Sequence, residues 1–287
     1  MRITGLRTWN VFANWRNWVF LRVETDDGVY GVAEATLEGR ERTVEAAIAD
    51  LSRSVVGRDP FDIEDLFQEL HYRDCFWVGG PILMTALSAI ECALWDIVGK
   101  KLGVPVYRLL GGKCRDRQRV YANGWYFGAS TPEAYAEKAA ATVAQGYTAL
   151  KWDPFGSADK HLTPAQARHA EAQVAAVREA VGDDVDLLIE VHGRFDVHTA
   201  VTMAHRLEKY NLFFYEEPVP SQNYAALAEV KRATNVPIAA GERCYTTFGF
   251  RDLLGHEAVH VIQPDVIHAG GILETKKIAA MAGAHYL

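Results

Sequence analysis

Three glutamates recur at one interval through the middle of the chain: Glu190 in LLIEVHGR, Glu216 in FFYEEPV and Glu242 in IAAGER, each 26 residues after the one before. Each closes a short apolar run and so reads as the end of a strand. A single strand-end glutamate is usually a solvated loop residue, but three in register make a pattern. Carboxylates brought together repel unless a cation sits among them. Hard Mg2+ takes oxygen ligands and keeps positions open for water or substrate oxygens. Further polar groups reach the same level. Lys151 and Asp153 share a face because strand side chains alternate with period two, and the same rule sets His192 beside Glu190. Asp265, in VIQPDVIHAGG, ends another strand 23 residues after Glu242. A metal trio flanked by a lysine, a histidine and an aspartate suits removal of a proton α to a carboxylate. The metal and Lys151 neutralise the enolate as it forms, and a His or Lys moves the proton.

The even spacing implies a repeated strand-plus-helix unit. Candidate strands run over 119–123, 148–153, 186–192, 212–216, 238–242 and 261–266. Thr131-Pro132-Glu133 and Thr163-Pro164 read as N-caps followed by proline at the first helical position. Alternating strand and helix implies a parallel sheet with helical crossovers. Neither GxGxxG nor GxxxxGK[ST] follows a strand, so an open nucleotide-binding sheet is disfavoured. The expected fold is α/β, a (β/α)8-type TIM barrel, whose C-terminal mouth would gather the three glutamates. Ahead of it, ITGLRTWNVFA and WVFLRVETDDGVYGVAEAT read as strands with a turn at Asp26-Asp27-Gly28. Ile82 to Leu102 reads as a buried helix ending near Gly103. Gly111-Gly112 breaks the chain, which divides the expectation into an N-terminal α+β capping domain, 1–113, and a barrel domain, 114–287.

With 287 residues, 49% hydrophobic and 23% charged, the composition is that of a globular protein. A formal charge of −7 argues against nucleic acid or an anionic membrane as partner. Cys75, Cys92, Cys114 and Cys244 lie far apart with no metal-type spacing and read as idle thiols. No leader-like segment and no 18-residue apolar stretch stand out, so a soluble, cytoplasmic protein is expected.

These motifs together resemble the enolase superfamily, in particular its mandelate racemase branch and the galactonate-dehydratase-like sugar-acid dehydratases within it. The likeness runs along the whole chain: ETDDGVYGVAEAT and GGPILMTALSAIECALWDIVGKKLGVPVYRLLGG in the cap, then HGR, EEP, AAGER and QPDVIHAGGI. Enolase-superfamily sites are known to use a Lys or His base with Mg2+, so Mg2+ is the implied cofactor. By the resemblance, Glu190, Glu216 and Glu242 match the metal ligands, with Glu190 standing where most relatives carry the shorter Asp. His192 matches the general acid on a departing β-hydroxyl, and Asp265 the residue that orients a catalytic histidine on the next strand. Lys151 matches the first lysine of a Lys-x-Lys pair whose second member is here Asp153. A racemase with opposed Lys and His bases is therefore disfavoured, and a dehydratase with two histidines fits better. That second histidine should end strand seven, but the sequence stops at Leu287, where that strand begins. From 114 onward there are 174 residues, against about 250 for a whole barrel, so a longer biological chain is expected. His285, at the strand's start, reads as structural.

The implied reaction is Mg2+-dependent dehydration of a sugar acid to a 2-keto-3-deoxy acid through an enediolate. An epimerase or cycloisomerase is the enzymatic alternative, and a non-catalytic metal-binding barrel the alternative of another class. The expected partners are a small-molecule carboxylate and further copies of the chain in a homo-oligomer. Arg16 and Trp18, on a stretch joining two cap strands, are candidate substrate contacts, although an exposed turn with packed aromatics is as good a reading. Asp153, Arg243 and His268 are further candidate contacts, His268 more as a hydrogen-bonding support than as a proton carrier. Arg194 and Arg243 read as holders of the ligand carboxylates or as solvated loop arginines. The segment from His71 to Trp77 reads as a second specificity loop or as aromatics covering the core. Tyr126 and Phe127 read as pocket lining or as packing beneath the loops.

Overall fold

The computed structural model describes residues 1–73 and 79–287, without the side chain of Arg73. It divides into two compact units, one of residues 1–116 with 241–251 and 264–286, the other of 117–240 with 252–263. Most of the expected second specificity loop, from the Arg73 side chain to Trp77, lies outside the described residues. Of that segment's described part, His71 is buried and stacks on Phe67, ring centroids 5.5 Å apart.

The first unit begins with an antiparallel meander of β1 (Ile3–Ala13), β2 (Arg16–Thr25) and β3 (Tyr30–Glu34), followed by α1 (Glu41–Val55) and α2 (Ile63–Gln68). The stretch expected to join the first two strands as a loop is much tighter. Ala13 pairs directly with Arg16, which leaves a two-residue turn with Asn14 at φ 61°. Asn accepts this left-handed conformation more readily than most residues. Arg16 and Trp18 are thus strand residues. α1 buries Val44, Ile48, Leu51 and Val55 at helical spacing.

α3 (Pro81–Leu102) is buried on nearly every side and stops where Gly103 turns left-handed at φ 67°. By length and hydropathy it could cross a membrane, contrary to the expectation that no such stretch exists, but 72% of its most apolar window is buried inside the protein. It is a core helix. The strand β3 passes so close that a Cβ on Gly31 would lie 1.9 Å from the Ala93 carbonyl oxygen. The short α4 (Val106–Leu109) follows.

In the second unit, α5 (Pro132–Val143), β4 (Ala149–Trp152), α6 (Pro164–Val181), β5 (Asp186–Glu190), α7 (Val197–Leu207), β6 (Phe214–Glu216), α8 (Tyr224–Arg232), β7 (Ile238–Ala240) and β8 (Val261–Ile262) alternate as expected. α9 (Thr246–Gly255) divides between the units after Arg251, and α10 (Ile272–Ala284) is counted with the first. The strands pair in parallel in the order β4-β5-β6-β7-β8, an arc consistent with a barrel. Both expected N-caps form, and Thr163 closes a capping box with Gln166. The expected first barrel strand, 119–123, shrinks to one bridge between Ala122 and Leu150. His285 is the C-cap of α10 and begins no strand.

The other strands also end earlier than their apolar runs suggest. The backbone turns left-handed at His192 (φ 57°) and Glu217 (φ 41°), and Gly241 takes φ 132°. These turns sit one or two residues past Glu190, Glu216 and Ala240, so the chain leaves each ladder at the level of the candidate site.

Candidate active site

Glu190 on β5 and Glu216 on β6 are register partners in the parallel ladder. Lys151, on β4, projects between them. Its Nζ lies 2.8 Å from Glu190 Oε2 and 2.5 Å from Glu216 Oε2. All three side chains are buried. Burial alone would lower the Lys151 pKa, but the two carboxylates outweigh it and hold the ammonium above its usual range.

The two acids divide. Burial raises both, and Lys151 with nearby donors brings Glu190 below the ordinary carboxylate value. Burial and the charge of Glu190 push Glu216 up to about 7. Glu190 Oε1 is fixed by the backbone N–H groups of Val191 and His192 at 3.1 and 2.7 Å. Glu216 Oε2 is buried without a hydrogen bond, and its approach to Lys151 is an ion pair by charge alone.

Glu242, two residues beyond β7, is exposed. Within the second unit, Glu190, Glu216 and Lys151, fully ionised, leave one negative charge. Buried carboxylate oxygens, one without a hydrogen bond, are donors that a hard cation takes. The residues fit Mg2+.

His192 is not on the Glu190 face by strand alternation, because the strand has ended. Its half-exposed ring is held by Nδ1 at 2.8 Å from Asp153 Oδ2. That bond raises the imidazole's pKa. Asp153 has also left its strand. Its Oδ1 accepts the Phe155 N–H at 2.8 Å, and Oδ2 is shared by His192 and Arg194. Both oxygens are thus engaged by protein donors. Arg194 does not clamp a ligand carboxylate. It binds Asp153 and the carbonyls of Val191, Gly156 and Ala158.

Asp265 lies three residues past β8, where Oδ1 accepts the Ile267 N–H at 3.0 Å and Oδ2 stands 3.8 Å from His268 Nε2. His268 Nδ1 meets Thr85 Oγ1 at 2.8 Å. That hydroxyl already donates to the Pro81 carbonyl, so it accepts from the ring. The bond ties His268 to α3. Arg16 pairs with Glu38 at 2.5 Å and stacks over Trp15 at 3.7 Å, with the Trp18 ring at 5.8 Å. The exposed Arg243 stands beside Glu242 in sequence. Tyr126 stacks on Tyr135, centroids 6.2 Å apart, which is packing, while Phe127 is exposed. The Asp153–Arg194 contact escaped sequence reasoning. Its only signal was the HGR run, which puts an arginine two residues after His192.

Residues 134–287 match the family model described as Enolase C-terminal domain-like, and residues 13–111 match the Mandelate racemase / muconate lactonizing enzyme, N-terminal domain. The chain belongs to this family of the enolase superfamily. It is 44% identical over 273 residues to the D-gluconate dehydratase of Thermoproteus tenax, covering 95% of this chain and 55% of that protein. To the D-galactonate dehydratase of Ralstonia pickettii (strain 12J) it is 43% identical over 285 residues, covering 99% and 73%. The chain thus spans about half the length of the first relative and nearly three quarters of the second. A crystal structure from Mesorhizobium loti superposes with a TM-score of 0.96 at 38% identity, over 99% of this chain and 77% of that one. A member of the enolase superfamily from Salmonella Typhimurium gives 0.94 at 35%, over 99% and 78%.

Proposed function

We propose that this chain carries the site of a Mg2+-dependent sugar-acid dehydratase, a hydro-lyase that yields a 2-keto-3-deoxy acid. The observation that carries this reading is the buried pair of Glu190 and Glu216 with Lys151 set between them. The dehydratase names of the relatives support the substrate class. Glu190, Glu216 and Glu242 would hold the ion. Bound there, Mg2+ supplies Lewis-acid stabilisation of negative charge on the substrate carboxylate.

The chain's own residues supply the rest. Lys151 Nζ adds fixed positive charge where the enediolate develops, in a site too dry to screen it. Asp265, with Oδ2 turned from the backbone, orients the base that takes the C2 proton. His192 gives its proton to the C3 hydroxyl as the C3–O bond breaks, so that oxygen leaves as water. A positioned acid of this kind is worth roughly 10²–10⁴-fold in rate. Arg16, Trp18 and Arg243 remain proposed substrate contacts. Copies of the chain are proposed to form a homo-oligomer in the cytoplasm.

The test is product analysis. The protein with Mg2+ is incubated in D2O with a panel of aldonates and aldarates that includes D-gluconate and D-galactonate, and followed by proton NMR. A 2-keto-3-deoxy acid is expected. An epimer with no loss of water would favour the isomerase reading, and an unchanged panel with Mg2+ bound would favour the non-catalytic one.

A further inference from the structure

We infer that Asp153 and Arg194 are a positioning pair that fixes the His192 ring with Nδ1 as the bound edge and Nε2 as the proton-transfer edge. The inference rests on the dehydratase reading for the step it serves, while the geometry behind it is independent of that reading.

The local chain explains the arrangement. Because β4 ends at Trp152, Asp153 is free to turn its Oδ1 back to the Phe155 N–H at 2.8 Å, which sets the carboxylate's direction. The other oxygen points at the turn after β5. There His192 sits at φ 57°, a left-handed conformation that side chains other than glycine rarely adopt. It is held by its own N–H on Glu190 Oε1 at 2.7 Å and by the Gly193 N–H on the Glu217 carbonyl at 2.7 Å. The same carboxylate that anchors this turn is a candidate metal ligand, so the turn and the metal cluster share one side chain.

Two contacts compete for His192 Nδ1, and donor chemistry decides between them. A carboxylate only accepts, so Asp153 Oδ2 at 2.8 Å requires a proton on Nδ1. Arg194 Nη2 lies 3.2 Å from the same nitrogen, but a guanidinium only donates and cannot bond a protonated Nδ1. The shorter, charge-assisted contact wins, and Arg194 bonds the aspartate instead. Three of its other four N–H groups donate to Val191 O at 2.8 Å, Gly156 O at 2.7 Å and Ala158 O at 3.2 Å. The guanidinium therefore cannot swing, and the carboxylate cannot rotate without losing two partners. Asp153 and Arg194 are 12% and 17% exposed, the His192 side chain 50%. A largely buried ion pair thus grips one edge of an open ring, which is how a proton carrier is mounted. A histidine serving only the core would be enclosed.

The readout is the ring itself, in the Mg2+-loaded protein labelled with 15N-histidine. Wild type should show His192 with Nδ1 protonated and hydrogen-bonded. Asp153→Asn is nearly isosteric, but its amide can turn an N–H toward Nδ1 and shift the tautomer, the fault that costs a serine protease about 10⁴-fold when its triad aspartate is amidated. The 15N spectrum should change. Dehydration kcat should fall about 10²-fold, with KM and Mg2+ affinity within about twofold and C2 proton exchange with D2O retained. Arg194→Lys, which keeps one donor for Asp153, should lose about tenfold. An unchanged 15N spectrum in Asp153→Asn overturns the pair, and so does a joint fall of kcat, exchange and Mg2+ affinity, which marks a structural staple. If wild type dehydrates no sugar acid, the dehydratase reading fails, and the 15N comparison still decides the pair on its own.

Discussion

Two regions of the molecule bury a carboxylate and push its pKa to about 7, and they do so to different ends. Glu216 stands at the end of a strand, beside a second carboxylate and an ammonium, with an oxygen that no hydrogen bond fills. Glu91 stands inside α3. Its oxygens accept the N–H groups of Ile272 and Leu273 at the start of α10, at 2.7 and 2.9 Å, and Trp95 Nε1 at 2.7 Å. A Cβ on Gly271 would meet Glu91 Oε2 at 2.0 Å, so even the space beside it is taken. One carboxylate is saturated and staples two helices. The other faces a second carboxylate, Glu190, across one ammonium. A raised pKa marks burial in both, and the donor set distinguishes the chemical site from the structural one.

The largest effect expected from this contrast follows removal of the cation from the chemical site. Lys151→Met leaves two buried carboxylates uncompensated, a loss of about 3–5 kcal/mol of stability in metal-free protein. Saturating Mg2+ should restore much of that loss, because the ion replaces the missing charge and binds only the folded state. Urea denaturation with and without Mg2+ measures both. A Lys151→Met protein as stable as wild type without metal would break the comparison, since the cluster would then not depend on its ammonium.

At the structural site the effect is smaller and depends on pH. The folded protein keeps the Glu91 proton up to about pH 7, whereas an ordinary carboxyl releases it near 4.5. Between these values the native state binds more protons than the unfolded chain, so this group's contribution to stability falls as pH rises and levels off above about 7. The whole span amounts to about 3 kcal/mol. Glu91→Gln should remove this slope, read as the change in urea midpoint across the window, and should leave Mg2+ affinity untouched. Equal slopes in wild type and variant would mean that Glu91 is ionised in the fold.

Which of these features the sequence displayed depends on where a residue sits relative to its hydrogen-bonded ladder. Lys151, Glu190 and Glu216 lie within strands, so alternation and an even repeat were enough to bring them together, and Thr131 and Thr163 showed their caps as plainly. Asp153, His192 and Glu242 lie one or two residues past the strand ends. At His192 and just before Glu242 the backbone turns at positive φ, and past all three strands side-chain direction follows from individual bonds such as Phe155 N–H to Asp153 Oδ1. A period of two carries no information about such bonds, which is why neither reading of Arg194, as a holder of ligand carboxylates or as a solvated loop residue, found Asp153. Around Arg16 and Trp18 the difference is of another kind, because a five-residue stretch hid a two-residue turn. Glu91 gave only a weak sign, one acid in an apolar helix, and its partners lie about 180 residues away.

The central proposal is that the turn residue Glu242 ligates Mg2+ together with the strand residues Glu190 and Glu216, and Glu242 tests it most directly. Its side chain is exposed, so Glu242→Gln should leave folding stability within about 0.5 kcal/mol of wild type. Titration calorimetry with Mg2+ should find one ion per chain in wild type and binding at least about tenfold weaker in Glu242→Gln. Equal Mg2+ affinity in the two proteins would contradict the account.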